Sequence, residues 1–235
     1  MNLDTERIDH AALALPLLVG IAFRPARASA FALALAASAL ASAATAEGGS
    51  LVDLWAQNDS DIGTATLSQN FEPDLDAWDC QAADDFVVPK GETWSIKQVE
   101  VSGWYWGNGI AAKSENVVFY RNAGGLPGRE VGRYTELVGA DPHHWGAFVI
   151  DLPRSMKLGP GRYWISVQAN IDWNVTATTW GWESRAPKRG RAAAWVNPLD
   201  GFESGCTSYE VESTCLDGGA GSDHMFVLRG TRKGS

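Results

Sequence analysis

Beyond residue 50 the chain consists of short β-rich runs, several alternating apolar and polar positions with a period of two, separated by turn residues. No apolar period of 3.6 residues is sustained in this part of the sequence. In the run 161–169, Tyr163, Ile165, Val167 and Ala169 share one parity, which predicts a strand with that face turned to the core. The pattern predicts strands at 52–57, 83–88, 94–106, 116–121, 130–137, 147–152, 161–169, 178–183, 193–196 and 224–229.

About ten short strands favour an all-β fold, an antiparallel β-sandwich of jelly-roll-like type, over an alternating β/α protein. The turn Pro89-Lys90-Gly91 supports this reading, because proline presets φ and glycine accepts a positive φ where the chain reverses. Further turns are predicted at 124–128 and 159–161.

In the long run 94–106, the apolar residues change from even-numbered to odd-numbered positions. Trp94 and Ile96 share one parity, whereas Val99 and Val101 share the other. A continuous buried face therefore needs one extra residue near Lys97-Gln98, which predicts a β-bulge there.

Residues 1–46 are typical of a signal peptide. Arg24 and Arg27 precede an apolar run at 28–40, and small residues at 44–46 suggest cleavage after Ala46. The leader is long, which suggests a translation start near Val19; a retained membrane anchor is the alternative. The remaining chain is divided into an extension with one early strand at 47–77, the sandwich domain at 78–230 and a tail at 231–235.

Charge and cysteine usage agree with export. The net charge of −9 disfavours nucleic acid and anionic lipid as partners. A local basic cluster, Arg185, Lys188, Arg189 and Arg191, is interpreted as a solvated loop.

The chain has three cysteines. Cys206 and Cys215 lie nine positions apart in a Gly/Ser/Thr-rich stretch, a spacing that suits a disulfide worth about 2 to 3 kcal/mol on the chain-entropy estimate. Cys80 is then a buried thiol or an intermolecular bridge, and pairing of Cys80 with either of the others stays open.

The run QAADDFVVPKGETWSIKQVEVSG at 81–103 resembles the start of a family of bacterial secreted β-sandwich domains. Further landmarks of that family occur in the same order: GLPG at 125–128, GRYWISVQA at 161–169, WGW at 180–182, AAWVNP at 193–198, then Cys206 and Cys215. The resemblance covers about residues 78–230 and implies a jelly-roll-like fold. It carries over no catalytic residue, and Cys80 departs from its pattern, which favours an unpaired thiol.

The first candidate site is a structural Ca²⁺ ion. Asp84 and Asp85 lie in an early strand and Asp223 directly precedes the last predicted strand. In jelly rolls these two strands are often neighbours, so the three carboxylates would supply hard oxygen ligands. The alternative is that one aspartate caps a turn and the others are solvated. A second, weaker acidic group is formed by Asp74, Asp76 and Asp79.

The second candidate is an aromatic binding face. The chain contains eleven tryptophans, and all lie beyond residue 50. Trp94, Trp164 and Trp195 are predicted core residues. An exposed indole is a good platform for a sugar ring or a protein surface. The residues predicted to bind ligand are Trp104, Trp106 and Trp173, with Asn108, Asp172 and Asn174 as hydrogen-bonding neighbours.

No catalytic signature is found: the sequence has no GxSxG elbow, no HExxH and no recognised Cys/His pair. His143 and His144 are adjacent, so on a strand they would point to opposite faces and make a poor metal site. The leading hypothesis is a secreted, non-catalytic domain that binds carbohydrate or another extracellular surface. The alternatives are a structural or self-associating surface protein that forms homo-oligomers and, third, a secreted hydrolase.

Overall fold

A computed structural model describes residues 50–216 and 223–234 of the chain. The predicted signal peptide, its cleavage site and the start of the predicted extension lie outside these residues. Within them the protein is all-β: 59% is strand, no helix reaches seven residues, and the sheets do not close into a barrel. In the same residues, no helix has the length and apolar character needed to cross a membrane.

The described part of the chain contains fifteen strands, three short helical turns and loops. The helical turns are a 3-10 helix at Pro73–Trp78, α1 at Trp173–Thr176 and α2 at Glu212–Cys215. The strands are β1 Val52–Gln57, β2 Asp61–Leu67, β3 Gln69–Asn70, β4 Gln81–Val88, β5 Glu92–Val101, β6 Gly103–Gly107, β7 Ser114–Ala123, β8 Leu126–Leu137, β9 Phe148–Leu158, β10 Gly161–Asn170, β11 Thr178–Arg185, β12 Ala194–Val196, β13 Glu210–Val211, β14 Asp223–His224 and β15 Phe226–Gly234.

Two main sheets form the sandwich. One has the order β1-β15-β5-β9, and the other has the order β13-β12-β4-β10-β7-β8, with β3 beside β10. Only the β3–β10 pairing is parallel among those described. A smaller sheet, β14-β11-β2 with β6 also on β11, continues the first one, because β5 leads into β6 and β14 leads into β15.

The first main sheet continues into the smaller sheet at Ser102. Its N–H donates to the carbonyl of Met225 and its carbonyl accepts from the N–H of Glu183. The single strand predicted at 94–106 is therefore two strands, because the chain exchanges one neighbour for another at this residue.

The core between the sheets confirms the predicted inward faces. The alternate residues of β10 from Tyr163 to Ala169 belong to it, as do Trp94 and Trp195. Trp164 is also fully buried, but on the outer face of the larger sheet, where it packs in a small second cluster. All three predicted core tryptophans are confirmed, each no more than 2% exposed.

The predicted β-bulge is present. In the pairing with β15, the consecutive residues Arg229 and Gly230 lie opposite Gln98 and Ile96, so Lys97 has no partner there. The extra residue is Lys97, which lets Ile96 and Val99 face the same core.

Strand boundaries differ from prediction at both ends of the described chain. The segment 47–77, predicted to hold one strand, supplies β1, β2 and β3, which pair with β15, β11 and β10. The last strand runs to Gly234 and so takes in most of the predicted tail. β2 was missed because its sequence, DIGTATL, has little apolar alternation; pairing with β11 decides its conformation.

The disulfide prediction is confirmed. Cys206 and Cys215 are bonded, which is consistent with an extracellular location. Cys80 is a free, fully buried thiol, and burial raises its pKa to about 12. Of the alternatives for Cys80, the buried thiol is the one observed.

Candidate binding site

Strands β6 and β11 place two tryptophans side by side on the outer face of the smaller sheet. Trp106 lies opposite Thr179 and Trp104 lies opposite Gly181, so these four residues share one face. The two indole rings meet edge to face, with centroids 6.1 Å apart. Tyr105, of opposite parity, packs against the core instead.

The ring of Trp106 packs directly against Gly181. A Cβ built on Gly181 would lie 2.2 Å from Cη2 of Trp106, far inside van der Waals contact. Only glycine therefore lets the indole lie against the sheet. The ring stays 38% exposed, so its outer side is open to a ligand.

Trp173 is positioned by the short helical turn α1. Its N–H and that of Asn174 each donate to the carboxylate of Glu72, at 2.7 Å. Partial burial favours a higher pKa for Glu72, but these N–H groups outweigh it and hold the pKa below its ordinary value. At the other end, Asn108 Nδ2 donates to the carbonyl of Thr176 at 3.0 Å.

An apolar pocket of about 410 Å³ lies between these elements. Its floor includes Leu67 and Thr179, on the same outer face of the smaller sheet as Trp106. The remaining lining residues form its walls: Phe71, Leu75, Trp78, Trp173, Asn174 and Phe202. Trp78 and Trp173 are both 40% exposed. We refer to Trp78, Trp104, Trp106, Trp173 and Phe202 as the aromatic face.

The buried side chain of Asn197 holds in place the pocket wall that Trp78 and Phe202 form. Asn197 Nδ2 donates to the carbonyls of Ala77 and Asp79, and its Oδ1 accepts from the N–H of Phe202. These hydrogen bonds hold the rings of Phe202 and Trp78 edge to face, with centroids 4.9 Å apart. It gives a physical role to the asparagine of the AAWVNP motif.

Four of the six residues predicted to bind ligand belong to this region. Trp173 and Asn174 line the pocket, and Trp104 and Trp106 lie beside it on the sheet. The other two play different parts. Asn108 braces α1, and Asp172 forms an ion pair with Lys113 at the edge of a neighbouring polar pocket.

Sequence reasoning missed the walls contributed by Leu75, Trp78 and Phe202. They come from the 3-10 helix and from the loop after β12, more than 120 residues apart in the chain. The sequence around Trp78 could have indicated an exposed position. Trp78 ends a turn that begins with proline and contains two acidic residues, and it is not part of an alternating run. The sequence around Phe202 contains no such indication.

The polar pocket, about 420 Å³, shares Phe71 with the apolar one. It is lined by amide, hydroxyl and charged side chains, among them Asn70, Asn116, Asn170 and Glu136. Asn116 and Asn170 are hydrogen-bonded to each other at 2.8 Å, so their orientation is fixed. Apolar and polar recognition groups therefore lie side by side.

Of the three aspartates predicted to bind calcium, Asp84 and Asp85 point to opposite faces of β4. Asp84 faces inward, where Oδ2 accepts from Gln57 Nε2 and from the N–H of His224, both at 2.7 Å. Asp85 has the opposite parity on β4 and pairs with Arg162. Asp223 accepts from the N–H of Arg189.

Protein donors thus occupy at least one oxygen of each carboxylate, while Oδ1 of Asp223 is buried without a hydrogen-bond partner. No group of three or more acidic, His or Cys residues in the described part of the chain is arranged to hold a metal ion. Burial and the nearby charge of Asp223 raise the pKa of Asp84 well above its ordinary value. Calcium binding stays a prediction, tested by the melting temperature with added calcium and with EDTA.

A buried polar group next to Asp84 links α2 to the core. Glu212 is 1% exposed; Oε1 accepts from Thr66 Oγ1 at 2.7 Å, and Oε2 lies 3.0 Å from Nε2 of His224. The His224 ring stacks on Trp182. The group has no opening to solvent among the described residues, since all of its members are buried.

The other two histidines of the sandwich lie in the loop before β9. His143 stacks against Trp145, which is 69% exposed, and His144 adopts a positive φ. Neither histidine lies in a strand.

No protein-family model and no curated protein matches the chain. Among solved structures, it is similar to the cysteine protease and lectin-like domains of Cwp84, a surface layer associated protein of Clostridium difficile. The TM-score is 0.44 at 13% identity, over 65% of this chain and 32% of that one. The chain thus spans about a third of the length of that chain, and at this similarity the match carries no argument about ligand or activity.

Proposed function

We propose that this protein is a secreted, non-catalytic β-sandwich domain that binds carbohydrate through the aromatic face. The observation that carries the proposal is a group of three indoles, each 38 to 40% exposed. Trp78 and Trp173 line an apolar pocket, and Trp106 lies beside it on the sheet, opposite Thr179 of its floor. Exposed indoles are costly in water, and their flat faces match the C–H face of a sugar ring.

The surroundings of the pocket support a sugar over a purely apolar ligand. Asn174 and Thr179 place polar groups in its lining, and the neighbouring polar pocket adds amides and carboxylates. A glycan longer than one unit would stack one ring on the indoles and present hydroxyls to the polar side.

The protein also holds this surface ready before a ligand arrives. Glu72 fixes the turn that carries Trp173, and Asn197 fixes Phe202 against Trp78. Pre-organised aromatic side chains lose little conformational entropy on binding, which favours affinity.

A glycan array followed by titration of the strongest glycan tests the proposal. Trp106→Ala and Trp173→Ala should each weaken binding by about tenfold or more, since a stacked aromatic contact is lost. Trp145→Ala is the matched control, because Trp145 is exposed but lies on another loop. Absence of any bound glycan, or equal affinity in all three variants, would refute the assignment.

The competing functions are separated by two further measurements. Release of soluble sugar from a bound glycan would indicate a hydrolase. Size-exclusion chromatography tests self-association; burial of Cys80 predicts the same elution with and without reductant.

A further inference from the structure

The basic cluster before β12 is not a uniformly solvated loop. Arg185 is buried and bonds to Asp59 Oδ1 at 2.7 Å. The guanidinium of Arg189 lies 3.8 Å from the centre of the Trp55 ring and donates to the carbonyl of Ala56. Two of the four cations are therefore used to hold the fold together.

The backbone of this loop is tied to buried carboxylates. The N–H of Arg189 donates to Asp223, and the N–H of Arg191 donates to Asp85 Oδ1 at 2.7 Å. Between them, Gly190 has φ +107°, and a Cβ there would lie 2.5 Å from Asp85 Oδ1. The loop is thus held close to the protein by contacts that only glycine permits.

The other two cations, Lys188 and Arg191, face a separate cavity of about 450 Å³. Both are exposed, and their side chains form no ion pair with the described residues. The opposite side is the β7–β8 hairpin turn: a Cβ built on Gly125 would lie 3.6 Å from Nε of Arg191. Leu126, Ala192 and Val211 supply the apolar part of the lining.

The local charge of this cavity is positive although the protein carries −9. Among the described residues, the lining includes two cations and no carboxylate. The aspartates beneath the loop are already paired, Asp85 with Arg162 and Asp223 with Arg185. Their negative charge is therefore largely compensated and does not cancel that of Lys188 and Arg191.

We propose that this cavity is a second binding site, for an oxyanion carried on a sugar unit of an extracellular polysaccharide: a carboxylate, sulfate or phosphate ester. Arg191 offers a planar fork of donors and Lys188 a compact charge, which together match such a group. The apolar lining accommodates the sugar ring.

A single oxyanion on a flexible sugar chain fits this site better than a stiff polyanion or an anionic bilayer does. Two cations in a cavity act within a few ångströms, and a flexible chain can turn away from the protein on either side of them, whereas a duplex or a bilayer is held against the acidic remainder of the surface. The proposal does not depend on the aromatic face, which lies on other strands.

Binding of the full chain to immobilised dextran sulfate, polygalacturonate and phosphorylated dextran tests the site, with neutral dextran and duplex DNA as references. The wild type should bind at least one acidic polysaccharide at low ionic strength, more tightly than either reference. The double variant Lys188→Ala/Arg191→Ala should bind it about tenfold more weakly or worse.

The charge-matched control is Arg232→Ala/Lys233→Ala, which removes two exposed cations at the end of β15. It should bind like the wild type, and Lys188→Arg, which keeps the positive charge, should retain binding. The three acidic polymers identify which oxyanion is recognised. Equal losses in the two double variants, or no preference of the wild type for any acidic polysaccharide over both references, would overturn the proposal. Unchanged melting temperatures verify that the variants are folded.

Discussion

Substitution of Gly181 by alanine should displace Trp106 from the sheet. The new Cβ would lie 2.2 Å from Cη2 and 2.5 Å from Cζ3 of the indole, and 3.0 Å from Cβ of Ala65. Because Trp106 is 38% exposed, its ring can swing outward and the sheet need not distort. We therefore expect a folded protein that has lost the contact between the ring and β11.

The cost follows from the surface that the ring exposes. An indole buries up to about 250 Å² of surface, so displacement of this partly buried ring uncovers on the order of 100 Å². At about 25 cal/mol per Å², the free energy of unfolding falls by about 2.5 kcal/mol. In a Trp106→Ala background the two shortest contacts of the new Cβ are gone, and the cost of the same Gly181→Ala change should fall below about 0.5 kcal/mol.

A double-mutant cycle measured by urea unfolding, followed by far-UV circular dichroism, gives the coupling energy directly. We expect about 2 kcal/mol between the two positions. Gly159→Ala, with no atom within 4 Å of its Cβ, is the matched control and should change stability little. A Gly181→Ala cost that is the same with and without Trp106 would show that the indole does not rest on this glycine.

Three further results are expected. Glu72→Gln should lower stability by about 0.5 to 1 kcal/mol at neutral pH and weaken glycan binding, because the turn that carries Trp173 loses its anionic cap. Since the folded-state pKa of Glu72 is lowered, the stability it adds is present above about pH 4.5 and is lost as the pH falls through the folded pKa; urea midpoints of wild type and variant should converge in acid. Glu212→Ala should cost about 3 to 5 kcal/mol by leaving His224 and its neighbours unpaired in the core, and a loss below about 1 kcal/mol would show that the buried pair contributes little. Cys80 should resist a thiol reagent in the native state and react only on unfolding, because it is buried and its pKa is raised to about 12; rapid native labelling would contradict its burial.

Local sequence patterns predicted most of the sandwich because strand formation and turn formation depend on near neighbours. The alternation at 161–169 identified the inward face of β10, and the change of parity in β5 located the bulge at Lys97. The same rules failed for β2, whose residues alternate weakly and become a strand through pairing with β11.

The site was predicted only in part, for a related reason. The tryptophan content indicated an aromatic face; in the structure Trp106 lies near the end of β6, and Trp173 begins the short helical turn α1. Asp84 and Asp85 show the limit: adjacent strand residues have opposite orientations, so one faces the core and the other faces Arg162.

By itself, the sequence determined the fold class, the buried faces, the bulge and the spacing of the disulfide, all of which follow from periodicity and short-range chemistry. Only the tertiary structure decided which tryptophans are exposed and what surrounds them. The pocket joins Trp78, Trp173 and Phe202, three residues brought together by strand crossovers and by the hydrogen bonds of Asn197. Likewise, Arg185 and Arg189 make contacts within the fold, whereas Lys188 and Arg191 face a cavity. The two pairs differ because buried carboxylates on distant strands bind the backbone N–H groups of this loop.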